Sequence, residues 1–253
     1  MSHVVRIWDL PTRLFHWLLA LSVGCSLTTA WLGGAAMEWH FRSGYLVISL
    51  LLFRLIWGFV GGYWSQWSRL VYFVIRPWQI WLYIRFHLFK KHSPLANIRT
   101  DTSLIDTSPR DPTLSNPSNP PTWSAGHSPL GALAVLVMLL ILVVQVSTGL
   151  ISDDEITWAG PLTARVSSVW VSLATSYHKT WGEWLIVGLI VLHVLAIAAY
   201  QWFKGQQLLK PMIWGDKTLE HSMPASRDSW VNRLLGLTCF ALCAAVVAWA
   251  FLV

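Results

Sequence analysis

Five stretches of the chain, at roughly 14–33, 43–61, 129–151, 181–203 and 231–253, carry little or no charge and approach the ~20 residues an α-helix needs to cross a hydrocarbon core. A soluble domain has no place for so many such runs in 253 residues. Charged residues make up 12% of the chain, about half the share usual in soluble domains, while hydrophobic residues reach 55%. The predicted fold is an all-α integral membrane helical bundle of four helices, with a fifth transmembrane helix at the C-terminal end. Pro11 suits a first helical turn, so the first helix is expected to begin before its apolar run. That run, with small residues near Gly33 to Ala36, has some features of a signal peptide, but the chain carries it from Met1 onward and it is expected to be retained.

Lysine and arginine set the orientation. With the N-terminus inside, only Arg42, Arg165 and Lys179 fall outside, whereas Arg6, Arg13 and the basic residues of 69–110 and 204–233 fall inside. The net charge of +6 therefore reads as orientation charge flanking the spans and not as a nucleic-acid stripe. A sixth apolar stretch, Tyr63 to Phe89, is broken by Arg69, Arg76 with Pro77, and Arg85, and it carries Trp64, Trp67, Trp78 and Trp81. Amphipathic and tryptophan-rich, it is predicted to lie in the interface plane. Were it to cross, every later helix would flip and the charge asymmetry would collapse. From His92 to Gly126 the composition turns to Ser, Thr, Pro and Asn, as in a cytoplasmic linker. The expected organisation is a single membrane domain. Residues 1–91 hold helices one and two with the interfacial segment, 92–126 the polar linker, 127–229 helices three and four with an inner loop, and 230–253 the last helix. Most of the 18 tryptophans sit near predicted helix ends, where interfacial anchoring accounts for them. Cys25, Cys239 and Cys243 lie in apolar runs without C-x-x-C spacing and read as small core residues.

Four histidines stand in or beside the spans: His16 in the first, His40 just before the second, His178 and His193 at the start and middle of the fourth. An ionisable group at membrane depth is costly, and is either functional or a hydrogen-bonded structural residue. Their arrangement favours function. The second and fourth helices both enter from outside, so His40 and His178 share the outer level. On a straight helix His193 lies 15 residues on, about 22 Å deeper and ~60° round, where His16 is its natural mate. Two pairs of imidazoles, each drawn from different helices, form the donor set of two bis-histidine haems. Zinc or non-haem iron would call for three or four converging ligands with Cys, Asp or Glu among them. Arg13, Arg54 and Lys179 lie near these levels and have two readings, as partners of haem propionates or as snorkelling interface residues. His3, His87, His92 and His221 read as surface residues, and His127 as part of the turn into the third span. The outer loop Asp153-Asp154-Glu155 offers either an ordinary solvated acidic surface or a steering patch for a basic partner.

With these residues assembled, the chain resembles the bacterial diheme cytochrome b561 and Ni,Fe-hydrogenase b-type cytochrome family. The likeness rests on Trp8-Asp9-Leu10-Pro11-Thr12-Arg13-Leu14-Phe15-His16-Trp17, Trp39-His40 with Gly44-Tyr45, and Arg54-Leu55-Ile56-Trp57-Gly58-Phe59. It continues through the Gly126 to Gly131 turn and Thr148-Gly149-Leu150 to His178 and His193-Val194-Leu195-Ala196. It covers roughly residues 5–215. The resemblance implies a four-helix core in the bacterial inner membrane. That core would bind two b haems through His16 with His193 and His40 with His178, and pass electrons between quinone and a redox partner such as a c-type cytochrome. The long 92–126 linker and the fifth helix depart from it.

No dinucleotide fingerprint, phosphate loop or nucleophile motif stands in a strand-to-helix setting. Electrons are therefore expected to arrive and leave through partners. The alternatives to a quinone-to-cytochrome conduit are the membrane cytochrome b subunit of a Ni,Fe-hydrogenase-like complex, a superoxide:quinone oxidoreductase, and a non-redox membrane protein with structural histidines.

Overall fold

The computed structural model describes residues 2–75, 78, 81, 126–219 and 222–251. The 92–125 part of the expected linker, most of the interfacial stretch beyond Ile75, and His87, His92 and His221 lie outside them. In chain order the elements are β1 (His3–Arg6), α1 (Leu10–Leu32), α2 (Met37–Val60), α3 (Trp67–Val74), α4 (Pro129–Gly149) and α5 (Ser168–Ser176). A π-turn at Tyr177–Gly182, α6 (Glu183–Lys204), α7 (Leu209–Trp214), β2 (Asp216–Leu219) and α8 (Trp230–Phe251) follow. Among the described residues five helical stretches are long and apolar enough to cross a membrane: Leu10–Leu32, Gly34–Val60, Pro129–Gly149, Ser168–Phe203 and Trp230–Phe251. The chain is an all-α membrane helical bundle.

Local chemistry sets where the helices begin. Asp9 caps α1, its Oδ1 accepting from Thr12 N at 2.8 Å, with Pro11 in the first turn, so α1 starts at Leu10, ahead of its apolar run. α2 begins at Met37, well before the expected 43, which puts His40 inside its first turn. Within this extension Glu38 and Arg42 pair one turn apart on the exposed side of the helix. Ser128 caps α4 by accepting from Gly131 N at 3.1 Å, with Pro129 next. A larger departure concerns the fourth span. It does not begin near residue 181 but runs through α5, the π-turn and α6 as one helical stretch of about 55 Å, far longer than the ~30 Å hydrocarbon core.

α1 packs along α2, α2 against α8, and α3 against α4, while α6 lies on α4. Phe15, Leu50, Phe53, Trp57 and Cys243 form the main apolar core between α1, α2 and α8. Val23 and Val47 join Ile186 of α6 in a second core. Below α1, β1 pairs antiparallel with β2, from His3 opposite Leu219 to Arg6 opposite Asp216. This ribbon, with Ile7 and Trp8 buried against Trp64, ties the segment before the first span to the loop before the last.

Candidate functional site

His40, in the first turn of α2, has Nδ1 2.9 Å from the carbonyl oxygen of Ser26 on α1. A carbonyl only accepts, so Nδ1 carries the proton and Nε2 keeps a free lone pair. His178, in the π-turn, makes the same contact at 2.9 Å to the carbonyl of Gln145 on α4. Both imidazoles are thus held in the tautomer of a metal-ligating histidine with an outer-shell acceptor. The two ring centroids lie 6.0 Å apart with the ring planes nearly perpendicular, at 87°. His16 of α1 and His193 of α6 form the other pair, centroids 6.4 Å apart.

These separations are informative. Two imidazoles sharing an N–H···N hydrogen bond would bring their centroids to about 5 Å, whereas edge-to-face rings in van der Waals contact span about 4.5–7 Å. Two imidazoles bound to one metal, at about 2.0–2.1 Å per bond with about 1.1 Å from nitrogen to centroid, stand about 6.3 Å apart. Both pairs match the metal-bound separation, and at His40 and His178 the Nδ1–H tautomers leave both Nε2 lone pairs free for a metal. A cavity of about 510 Å³ joins His40 to His178, lined by Val23, Leu27, Val47 and Ile186 and bordered by Asp153, Asp154 and Lys179. Its size and apolar walls suit a bound cofactor. Gly149 lets the ring of His178 approach, since a Cβ there would come 2.7 Å from His178 Cε1. Among the described residues no group of three or more His, Cys, Asp and Glu side chains converges on one point. The paired imidazoles therefore fit a haem iron, which brings its other four ligands with it.

The π-turn alters the geometry expected between the two fourth-span histidines. Absorbing one extra residue, it leaves about 14 residues of regular helix between them, so their offset becomes ~21 Å and about 40° in the opposite sense. They still face the same side. His16 stands about 9 Å into α1 and His193 about 16 Å from the end of α6, and the rings nevertheless meet because α6 continues beyond the start of α1.

The three cations are placed differently from one another. Lys179 is exposed and borders the His40–His178 cavity. Arg13 is buried one turn before His16, where it donates to the Ile213 carbonyl and lies 3.8 Å from Asp228, leaving Nε without a partner. Arg54 is 5% exposed, donates to the Ser65 carbonyl at 2.9 Å and lies 4.5 Å over the ring of Trp67. The acidic loop is put to structural use. Asp154 Oδ1 accepts backbone N–H bonds from Ile156, Thr157 and Trp158 at 3.0, 2.8 and 2.8 Å, which hold its carboxyl below the usual range. Asp153 Oδ1 likewise accepts from Glu155 N at 2.7 Å.

Some site residues escaped the sequence reading. Ser26 acts through its backbone, which no side chain signals. Gln145 was visible in principle, as a polar residue inside an otherwise apolar run. His127 precedes the Ser128 cap as expected, and it also packs edge-on against Trp8 at 4.7 Å.

A sequence model of the prokaryotic cytochrome b561 family matches residues 7–215. A protein of Azotobacter chroococcum mcd 1, named a probable Ni/Fe-hydrogenase B-type cytochrome subunit, is 24% identical over 251 residues, covering 87% of this chain and 91% of that protein. A protein of the same name from Bradyrhizobium diazoefficiens is 22% identical, covering 84% of this chain and 85% of its own length. The probable Ni/Fe-hydrogenase 1 B-type cytochrome subunit of Escherichia coli K12 is 24% identical, covering 77% and 81% respectively. No solved structure matches.

Proposed function

Because the chain belongs to the prokaryotic cytochrome b561 family, we propose that this membrane b-type cytochrome carries two b haems, one between His16 and His193 and one between His40 and His178, and conducts electrons between their levels. The observation that carries this reading is the pair of ring separations, 6.4 and 6.0 Å, each spanning two helices. Haem iron supplies reversible one-electron chemistry. The chain's part is to present Nε2 of His40 and His178, to fix their tautomers through Ser26 and Gln145, and to keep water from the slot with apolar walls. Lys179 is suited to a haem carboxylate at its level by a charge-assisted bond. Arg13 and Arg54 are suited to the carboxylates of the other haem, to which they would donate alongside the Ile213 and Ser65 carbonyls they already hold.

The charge asymmetry supports a cytoplasmic N-terminus in a bacterial inner membrane, with the His40–His178 level outermost. Quinone is the redox participant at one level and a protein at the other. The names of the relatives favour a hydrogenase-type protein in that second role over a c-type cytochrome or superoxide.

Redox titration of the purified protein in the haem absorption bands tests the pairing. Two components are expected. His40→Ala and His178→Ala should remove the same one, His16→Ala and His193→Ala the other. Members of one pair removing different components would refute it.

A further inference from the structure

Gln145 touches His178 from both of its ends. Its backbone carbonyl accepts from His178 Nδ1 at 2.9 Å, and its side-chain Nε2 donates to the His178 carbonyl at 3.0 Å. The second bond answers a need created by the π-turn. Widening a helix from i+4 to i+5 bonding disturbs the regular pairing of its carbonyls, and hydrocarbon offers no water in exchange. Gln145 Oε1 is buried without a hydrogen-bond partner and lies against Gly182, the last residue of the turn, where a Cβ would collide with it. Gly149, one turn along the same face of α4, receives the ring of His178. Gln145 and Gly149 thus form a seat for the turn that carries one histidine. The opposite level has no such seat at His16, whose Nδ1 is buried without a partner.

We propose that Gln145 is a positioning residue for the haem that His178 would ligate: it couples the orientation and tautomer of the imidazole to the backbone of the π-turn. The proposal rests on the two-haem reading above. Imidazole orientation and the polarisation of its N–H both tune the potential and spin state of an iron bound to Nε2. Loss of the clamp should therefore be felt at one haem only. A residue that merely fills space between α4 and α6 would loosen both levels together.

The test is redox titration and low-temperature electron paramagnetic resonance of the full chain, purified with its haem. The wild type must first show two haems and two components, and its failure to do so would sink the two-haem reading independently of Gln145. Gln145→Met keeps the length but removes the donor. It should shift or abolish the component assigned to His40 and His178, alter that haem's low-spin signal, and leave the other component at its wild-type potential. Gln145→Glu, which sets an acceptor against the His178 carbonyl, should shift it further. Gly149→Ala, which presses on the ring, should move the same component. If Gln145→Met does not accumulate, Gln145→Asn keeps the amide with a shorter reach and should show the same selective shift. The proposal is overturned if the two components move or vanish together, or if neither moves.

Discussion

At the scale of single residues, Asp9 holds together the end of the bundle below His16. It is fully buried, with Oδ1 accepting from Thr12 N at 2.8 Å and Oδ2 from Gly62 N at 2.7 Å, and with Trp57 Nε1 and Ser65 Oγ at 3.4 and 3.3 Å. Asp9→Ala removes a helix cap and strands buried donors, and should cost about 2–4 kcal/mol, read as a lower melting temperature in detergent. His127 gives the protein a pH dependence. Burial, helped by Arg54 and Lys217, pushes its imidazole down from 6.5 to about 4. As pH falls from about 6.5 toward 4 the unfolded chain takes up a proton there that the native chain refuses, so native stability declines across that window. His127→Gln should flatten this decline in melting curves taken at several pH values. What could be read from the sequence follows the same physics. Histidines in apolar runs are conspicuous because water is absent there, and four of them proved to be in two close pairs. The acceptors that hold Arg13 and Arg54 were not legible, because Ile213 and Ser65 offer backbone carbonyls brought in by tertiary packing.

At the scale of elements, apolar length located the spans, whereas their ends were set by chemistry that hydropathy does not register. α2 starts at Met37, ahead of His40, with Glu38 and Arg42 paired across its first turns, and the fourth span continues through Tyr177–Gly182 to α5. A π-turn has no pattern in hydropathy, since it differs from α-helix only by one residue accommodated within a turn. It makes a sharp prediction. Deleting Thr180 should restore a regular helix with an offset of about 14 residues between the two histidines and so leave His178 and His193 in the same relative orientation, about 40° apart. Both haems should be retained, with any shift confined to the component of His40 and His178, as measured by haem content and redox titration. Loss of one haem would contradict the account in which the turn absorbs a single residue and sets the register of His178 against His193.

At the scale of the molecule, the bundle and its charge asymmetry were legible because a bilayer imposes them on the whole chain. The β1–β2 ribbon was not, because four-residue strands more than 200 positions apart leave no local signature. α6 packs on α4, yet its histidine His193 and the adjoining His178 face partners on α1 and α2. Haem would therefore act as the bridge between the two halves of the bundle. Protein made under haem limitation should be cut by protease in or near α6 under conditions where the haem-loaded protein resists. The central claim, one b haem at each histidine pair, is tested most directly by the pyridine haemochrome spectrum of the purified chain against its protein concentration. The expected result is about two haem b per chain. A colourless protein, or a single haem per chain, would contradict it.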